Sequence, residues 1–281
     1  GTVRVSSPVK EFKVAAGEVT GVVLESGEEI LAAKAVVTSL DTRQIFPDMV
    51  KGADLPKGFV GKVRRIISSD YSALNSAYAL NEAPRYKAGG DVDKSLWVEF
   101  SPDDLEHYLR GFENFRYGIT ATDFPIAMTH TLFDKTRAPE GKHTLYLYHY
   151  QPYDLKDGGA AKWDEIGEEV ADGILETMRR HTTNMGDENI IGKRWFMTPL
   201  DIERYNPAMV RGDVSHAASM LAPQDGANRP IPGYGQYRLP IKKFYLTGAS
   251  AHPGAGISGG GRAAAMVIME DLGIDFEKVV A

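Results

Sequence analysis

Six glycines fall between positions 248 and 261, in the run Gly248-Ala249-Ser250-Ala251-His252-Pro253-Gly254-Ala255-Gly256-Ile257-Ser258-Gly259-Gly260-Gly261. An apolar stretch, Phe244-Tyr245-Leu246-Thr247, precedes it, and Ala263, Ala264, Ala265, Met266, Ile268 and Met269 follow it up to Gly273. The pattern predicts a short strand, a glycine-rich turn and a helix stopped by glycine at a C′ position. Glycines at this density permit positive φ and close backbone approach. Several amides can then point into one concavity at a helix N-terminus, where the dipole favours electron-rich groups. An anion, a phosphate or a reduced heteroaromatic ring suits such a place; a glycine-rich helix entry made for tight packing is the structural alternative.

Gly254-Ala255-Gly256-Ile257-Ser258-Gly259 matches G-x-G-x-x-G literally. The dinucleotide fingerprint, however, needs its glycines directly after the strand, with a second strand and an acidic residue about 20 positions on. Here Gly248 to Pro253 separate strand from motif, and little sequence follows Asp275. An ordinary nucleotide fold starting at Phe244 is therefore rejected.

The remaining chain bounds the function. With 281 residues, one large domain or two modest ones are expected, with ample length for a core. The absence of cysteine excludes thiolate catalysis, Cys-ligated zinc and iron–sulfur clusters. Charges are interspersed at a net −6, so no electrostatic footprint for nucleic acid is expected. The chain opens Gly1-Thr2 without a signal-peptide pattern, and the expectation is a piece of something longer. No apolar run approaches the roughly 20 residues of a membrane span, so a cytoplasmic or membrane-peripheral location is expected, peripheral membrane contact remaining open.

Val3/Val5, Val9/Phe12/Val14, Val19/Val22/Leu24 and Ile30/Leu31 read as a β-meander turning at Gly17 and Gly27, followed by Ala35–Ser39 as a strand covered on both faces. Further strands are expected at Ser72–Leu80, Ser95–Phe100, Ala127–Phe133 and His143–Tyr150. A helix is expected after Ser101-Pro102-Asp103-Asp104, with capping rather than paired-carboxylate catalysis explaining the two aspartates. Trp163–His181 carries the clearest helical period, Trp163, Ile166, Val170, Ile174, Leu175 and Met178 recurring on one side. Tyr146, Tyr148 and Tyr150 share one face of their strand, which is either sheet interior or the wall of an apolar cavity. His143 and His149, on the other face and about 20 Å apart by strand rise, cannot share a metal, and no metal site is expected.

The string Thr247 to Gly259, followed by Gly261-Arg262-Ala263-Ala264, resembles the C-terminal flavin-binding motif of the phytoene desaturase-like FAD-dependent oxidoreductases. That group includes carotenoid desaturases and isomerases, retinol saturase and related amine-oxidase-like flavoproteins. The likeness extends over nearly the whole chain. Thr2–Ser39 is similar to the meander and return strand of the FAD domain. Asp134–Tyr153, Trp163 and Thr198-Pro199-Leu200-Asp201 are similar to the substrate domain, and Arg229-Pro230 with Pro240 precedes the last strand as in the family. The family's opening strand–glycine loop–helix unit, which grips the ADP half of FAD, has no counterpart here. The resemblance thus implies an α+β (mixed α/β) chain: a partial FAD-binding domain over 1–40, an antiparallel or mixed-sheet substrate domain over 41–240, and the C-terminal strand, glycine loop and helix of the FAD domain over 241–281.

It also implies a parent enzyme that oxidises an apolar small-molecule substrate by hydride transfer to FAD. This chain alone is expected to be inactive and to hold no FAD, and self-association of the fragment is expected from its uncovered surfaces. Gly248, Ala249, Gly254, Gly256, Ile257, Ser258 and Gly259 carry over as flavin contacts, with Val9 near the adenine and Ser39 closing the return strand. Catalytic residues stay unassigned; His252 and His216 are the titratable candidates near the motif. Tyr146, Tyr148, Trp195 and Phe196 are the expected substrate wall. A stand-alone module for a hydrophobic ligand, and an interaction domain whose glycine loop binds a phosphate or a peptide, stay open.

Overall fold

The computed structural model describes residues 1–218, 226–256 and 259–280. The chain is a mixed α+β protein that divides into two compact units, one formed by Gly1–Ser69 with Ala208–Ala281 and the other by Asp70–Pro207. Residues 41–69 and 208–240, read above with the middle segment, belong to the first unit.

The first limb of that unit is a meander. Strands β1 (Val9–Ala15), β2 (Glu18–Leu24) and β3 (Glu29–Leu31) pair antiparallel in sequence order. Ala16 and Gly17 both have positive φ, 49° and 77°, the backbone of a two-residue I′ hairpin whose twist suits the flanking strands. At Gly21 a Cβ would stand 2.2 Å from the Ile30 carbonyl oxygen, so only glycine lets β2 and β3 approach there. Phe12, Val19 and Leu24 turn inward, and the Phe12 ring packs 4.6 Å from Phe244. Val3 and Val5, expected in a strand, precede β1 and are 91% and 82% exposed, for no strand among the described residues pairs with them. Next come β4 (Val36–Thr38) and the short helices α1 (Thr42–Gln44), capped by Asp41, and α2 (Phe59–Val63). Coverage of β4 on both faces is not observed: Thr38 is buried, but Val37 is half exposed.

The second unit is built on a five-stranded antiparallel sheet. Its strands are β5 (Ser72–Leu80), β6 (Trp97–Glu99), β7 (Ile126–Met128), β8 (His143–Gln151) and β9 (Ile190–Met197), in spatial order β6-β7-β8-β5-β9. Helix α3 (Leu105–Arg116) starts one turn later than Ser101 suggests, because Asp104 has the extended cap conformation and accepts from the Glu106 amide. The strand expected through Phe133 stops at Met128 and becomes a 3₁₀ turn over His130–Leu132. Helix α4 (Trp163–His181) has the expected bounds and buries Trp163, Val170, Ile174, Leu175 and Met178 against Leu74, Tyr78, Leu80, Leu145 and Leu147. Helix α5 (Pro199–Tyr205) opens on a reciprocal capping box between Thr198 and Asp201, with proline at N1.

The return limb completes the first unit. Strand β10 (Phe244–Leu246) pairs parallel with β4, and helices α6 (Gly260–Asp271) and α7 (Phe276–Val280) follow. The α6 stop is a Schellman motif: Gly273 at φ +68° donates to the Glu270 carbonyl, and Ile274 donates 2.8 Å to that of Met269.

Candidate functional site

The glycine loop starts where two parallel strands end together. Pairing of β4 with β10 continues through the Thr247 amide, which donates 2.9 Å to the Thr38 carbonyl, and this brings Gly248 onto Ser39. Gly248 has φ +73°, and a Cβ there would come within 3.0 Å of the Ser39 side chain. Ser39 and Gly248, both singled out in the sequence, are therefore neighbours. Val9 opens β1 opposite Leu24.

Beneath the loop lies a group of buried polar side chains. The Ser250 hydroxyl donates to the Leu40 carbonyl at 3.1 Å, so its oxygen is left to accept the Nδ1–H of His216 at 2.9 Å. Burial pushes the His216 pKa down against the opposing pull of Asp41 and Asp213, so the imidazole is neutral near pH 7. The Arg43 guanidinium meets Asp41 at 2.5 and 3.0 Å and donates 2.8 Å to the His216 carbonyl. Asp213 accepts the amides of Ser69 and Ser215, each at 2.8 Å. Arg229, 2% exposed, donates to the carbonyls of Ala249 at 2.9 Å and Ala217 at 3.3 Å, and also to that of Ser215. Of these residues sequence reading singled out His216 and named Ser250 and Arg229 only as members of family strings; Asp41, Arg43 and Asp213 went unnoticed. Their partners lie far apart along the chain, and no local period marks them.

Above this layer the loop opens. Gly254 and Gly256 have φ of 110° and 105°, and a Cβ at Gly256 or Gly259 would meet nothing within 4 Å. Among the described residues the Nδ1 of His252 is buried with no hydrogen-bond partner. The N-cap residue of α6 is Gly259, which has no side chain to cap the helix. Ile257 and Ser258, expected among the contacts, lie outside the described residues. The set suits the electron-rich edge of a cofactor: open glycine main chain, a helix N-terminus with glycine at its N-cap, and one orphaned imidazole nitrogen.

In the second unit, strand alternation distributes the expected wall residues over both faces of the sheet. Tyr146 and Tyr148 of β8 stand opposite Ala77 and Asn75 of β5, and Trp195 of β9 stands opposite Ala77 on the other side. The three share one face with Tyr150, Met128 and Trp97. Tyr146 donates 2.7 Å to the Asn75 side-chain oxygen, and burial pushes its pKa up, so the phenol stays protonated. The Tyr148 and Tyr150 rings meet edge to face at 5.2 Å, and Trp195 is 52% exposed. Phe196 does not belong with them. As the neighbour of Trp195 it points to the opposite face, packing on the core where a Cβ at Gly167 would come within 3.3 Å of its ring. Asp103 and Asp104 form no catalytic pair, since Asp104 caps α3.

Among the described residues no helix is long and apolar enough to cross a membrane.

The fold is shared with a solved protein. A solved oxidoreductase from Methanosarcina mazei superposes with a TM-score of 0.52 at 14% identity, over 94% of this chain and 49% of that one. By sequence the chain is similar to oxidoreductases that include a phytoene desaturase, the group its C-terminal string resembles. It is 29% identical, over 91% of its length, to pyridine nucleotide-disulfide oxidoreductase domain-containing protein 2 of Rattus norvegicus, covering 45% of that protein. It is 25% identical to a limonene dehydrogenase polypeptide of Castellaniella defragrans, over 98% of this chain and 55% of the relative. The phytoene desaturase (neurosporene-forming) of Cereibacter sphaeroides also matches at 25%, over 92% and 47%. The chain thus spans about half the length of these relatives. No family model matches it.

Proposed function

We propose that the chain supplies the C-terminal flavin contacts and the substrate-binding unit of an FAD-dependent oxidoreductase that takes hydride from an apolar substrate. The observation that carries this reading is the glycine main chain ahead of α6: Gly256, at φ +105°, and the N-cap Gly259 both face open space, and Gly259 brings no side chain to the first helix amides. When bound, FAD would supply the hydride acceptor. The chain's own residues do the rest. The α6 N-terminus and the loop amides of Gly254, Gly256 and Gly259 hold the cofactor's polar edge by hydrogen bonding and favour negative charge there. Gly248 and Ala249 fix the loop's start against Ser39. His252 offers its orphaned Nδ1 to the same edge, and neutral His216 orients Ser250 without exchanging a proton. Tyr146, Tyr148 and Trp195 receive the apolar substrate on the sheet face.

The test is spectroscopic. The full-length protein, purified with the sequence that flanks these residues in its gene, is expected to be yellow and to bleach on reduction by substrate. A full-length protein that takes up no flavin when FAD is supplied would sink the oxidoreductase reading in favour of a hydrophobic-ligand module. The 281-residue chain alone is expected to be colourless, because about half of each relative lies outside the match.

A further inference from the structure

We propose that Arg229 is the positioning residue of the glycine loop, fixing its main-chain path so that a flavin can seat on it; this rests on the reading of the loop given above. The guanidinium joins three carbonyls from two distant segments, Ala249 in the loop and Ser215 and Ala217 in the turn that carries His216. It also underlies the returning limb of the loop, since a Cβ on Gly254 would sit 3.5 Å from the Arg229 Nε. Both limbs therefore rest on one side chain that is 2% exposed.

A buried guanidinium is an expensive way to hold two segments together, because its desolvation must be offset by well-placed hydrogen bonds. Apolar packing would join them at lower cost. What apolar packing does not do is set the orientation of a peptide plane. By drawing the Ala249 carbonyl inward, Arg229 turns the following N–H, that of Ser250, to the opposite side of a trans peptide. The same plane leads into the Ser250 hydroxyl that His216 and Leu40 hold from below. Gly254, at φ +110°, then passes over the guanidinium without a side chain to displace it. Lysine keeps the charge, but its single ammonium lacks the planar fork that grips the loop and the turn together.

The experiment compares FAD dissociation constants in the full-length protein for wild type, Arg229→Lys, Arg229→Gln and the core control Phe59→Leu, alongside thermal unfolding. Phe59 is buried in the same unit and packs on Phe46 and Tyr234. Loss of charge-assisted hydrogen bonds that set the loop predicts FAD binding weakened roughly tenfold or more in Arg229→Lys, further in Arg229→Gln, and by less than about twofold in the control. A changed visible band shape of the remaining bound flavin is expected in the Arg229 variants only. Arg229→Lys binding FAD as wild type does would overturn the assignment and leave the flavin reading intact. Equal weakening in the control would also overturn it, reducing Arg229 to a stabiliser of the fold. So would failure of both Arg229 variants to fold. Absence of flavin from the wild-type protein would instead remove the functional reading itself, and this inference with it.

Discussion

The glycine loop of the first unit leaves main chain open and buries charged side chains beneath it, whereas the sheet of the second unit pairs its main chain and leaves aromatic rings half exposed on one face. Beneath the loop, Arg229, Asp41 and Asp213 are all 3% exposed or less, and the residue in front of Arg229 is Gly254. On the sheet the side chains face outward and main-chain hydrogen bonding runs through five strands. Recognition by main chain demands a hidden scaffold, because a loop without side chains cannot hold its own shape. Recognition by side chains needs only the two-residue period of a strand and a packed opposite face.

Four perturbations would break or sharpen this contrast. Trp163→Ala should have the largest effect, since it empties the core behind the sheet and removes an indole N–H that donates 3.1 Å to two carbonyls. A loss of about 3–5 kcal/mol in urea unfolding is expected. Loss below about 1 kcal/mol would mean that the sheet face is not held by the α4 layer.

Lowering the pH should come next. His149 is 1% exposed, and its pKa is pushed down to about 4, burial outweighing its hydrogen bond to the Tyr150 carbonyl. Its Nδ1–H serves that carbonyl, and its Nε2 accepts the Phe124 amide at 3.3 Å, a bond that protonation would break. The folded state therefore takes up fewer protons than the unfolded one between pH 6.5 and about 4. Stability is at its full value above that window and falls as pH drops through it, by about 3 kcal/mol at roughly 1.4 kcal/mol per pH unit. Urea midpoints of wild type and His149→Gln at neutral pH and at pH ~4.5 check this, the variant being expected to lack the slope.

Ser250→Ala removes the link between Leu40 and His216 and should cost about 1–3 kcal/mol. The imidazole resonances of His216 should shift in NMR spectra, and an unchanged spectrum would dissolve the scaffold picture at that point. Trp195→Ser should be the mildest, within about 0.5 kcal/mol in stability because the ring is half exposed. It should nonetheless weaken binding of an apolar probe severalfold, whereas Phe196→Leu should reverse that pattern. Equal effects of the two on probe binding would refute the one-face assignment of the wall.

What could be read in the sequence follows the same division. Strand Ser72–Leu80 and helix Trp163–His181 have the bounds their periodicity predicts, because each buries one regular face. Asp104 rather than Ser101 caps α3, a choice between neighbours that propensity cannot make. Phe196 could have been separated from Trp195 by alternation alone. The glycines at 248, 254 and 256 were visible as a string, and their positive φ values follow from residue type. The layer beneath them was not visible. Asp41, Arg43, Asp213 and Arg229 look like ordinary surface charges until tertiary closure, the pairing of β4 with β10 included, gathers them.

That pairing has a consequence for how the protein is made. Ser250 bonds to Leu40 across 210 positions, so the early strand leaves the ribosome long before the segment that completes its surroundings. At synthesis rates of about 5–20 residues per second, β4 waits on the order of ten seconds or more for its partner. The second unit, continuous in sequence, can assemble in that interval. Loop, Arg229 contacts and helix therefore form after that unit, and a nascent chain arrested before Phe244 would carry a finished sheet but no glycine loop at all.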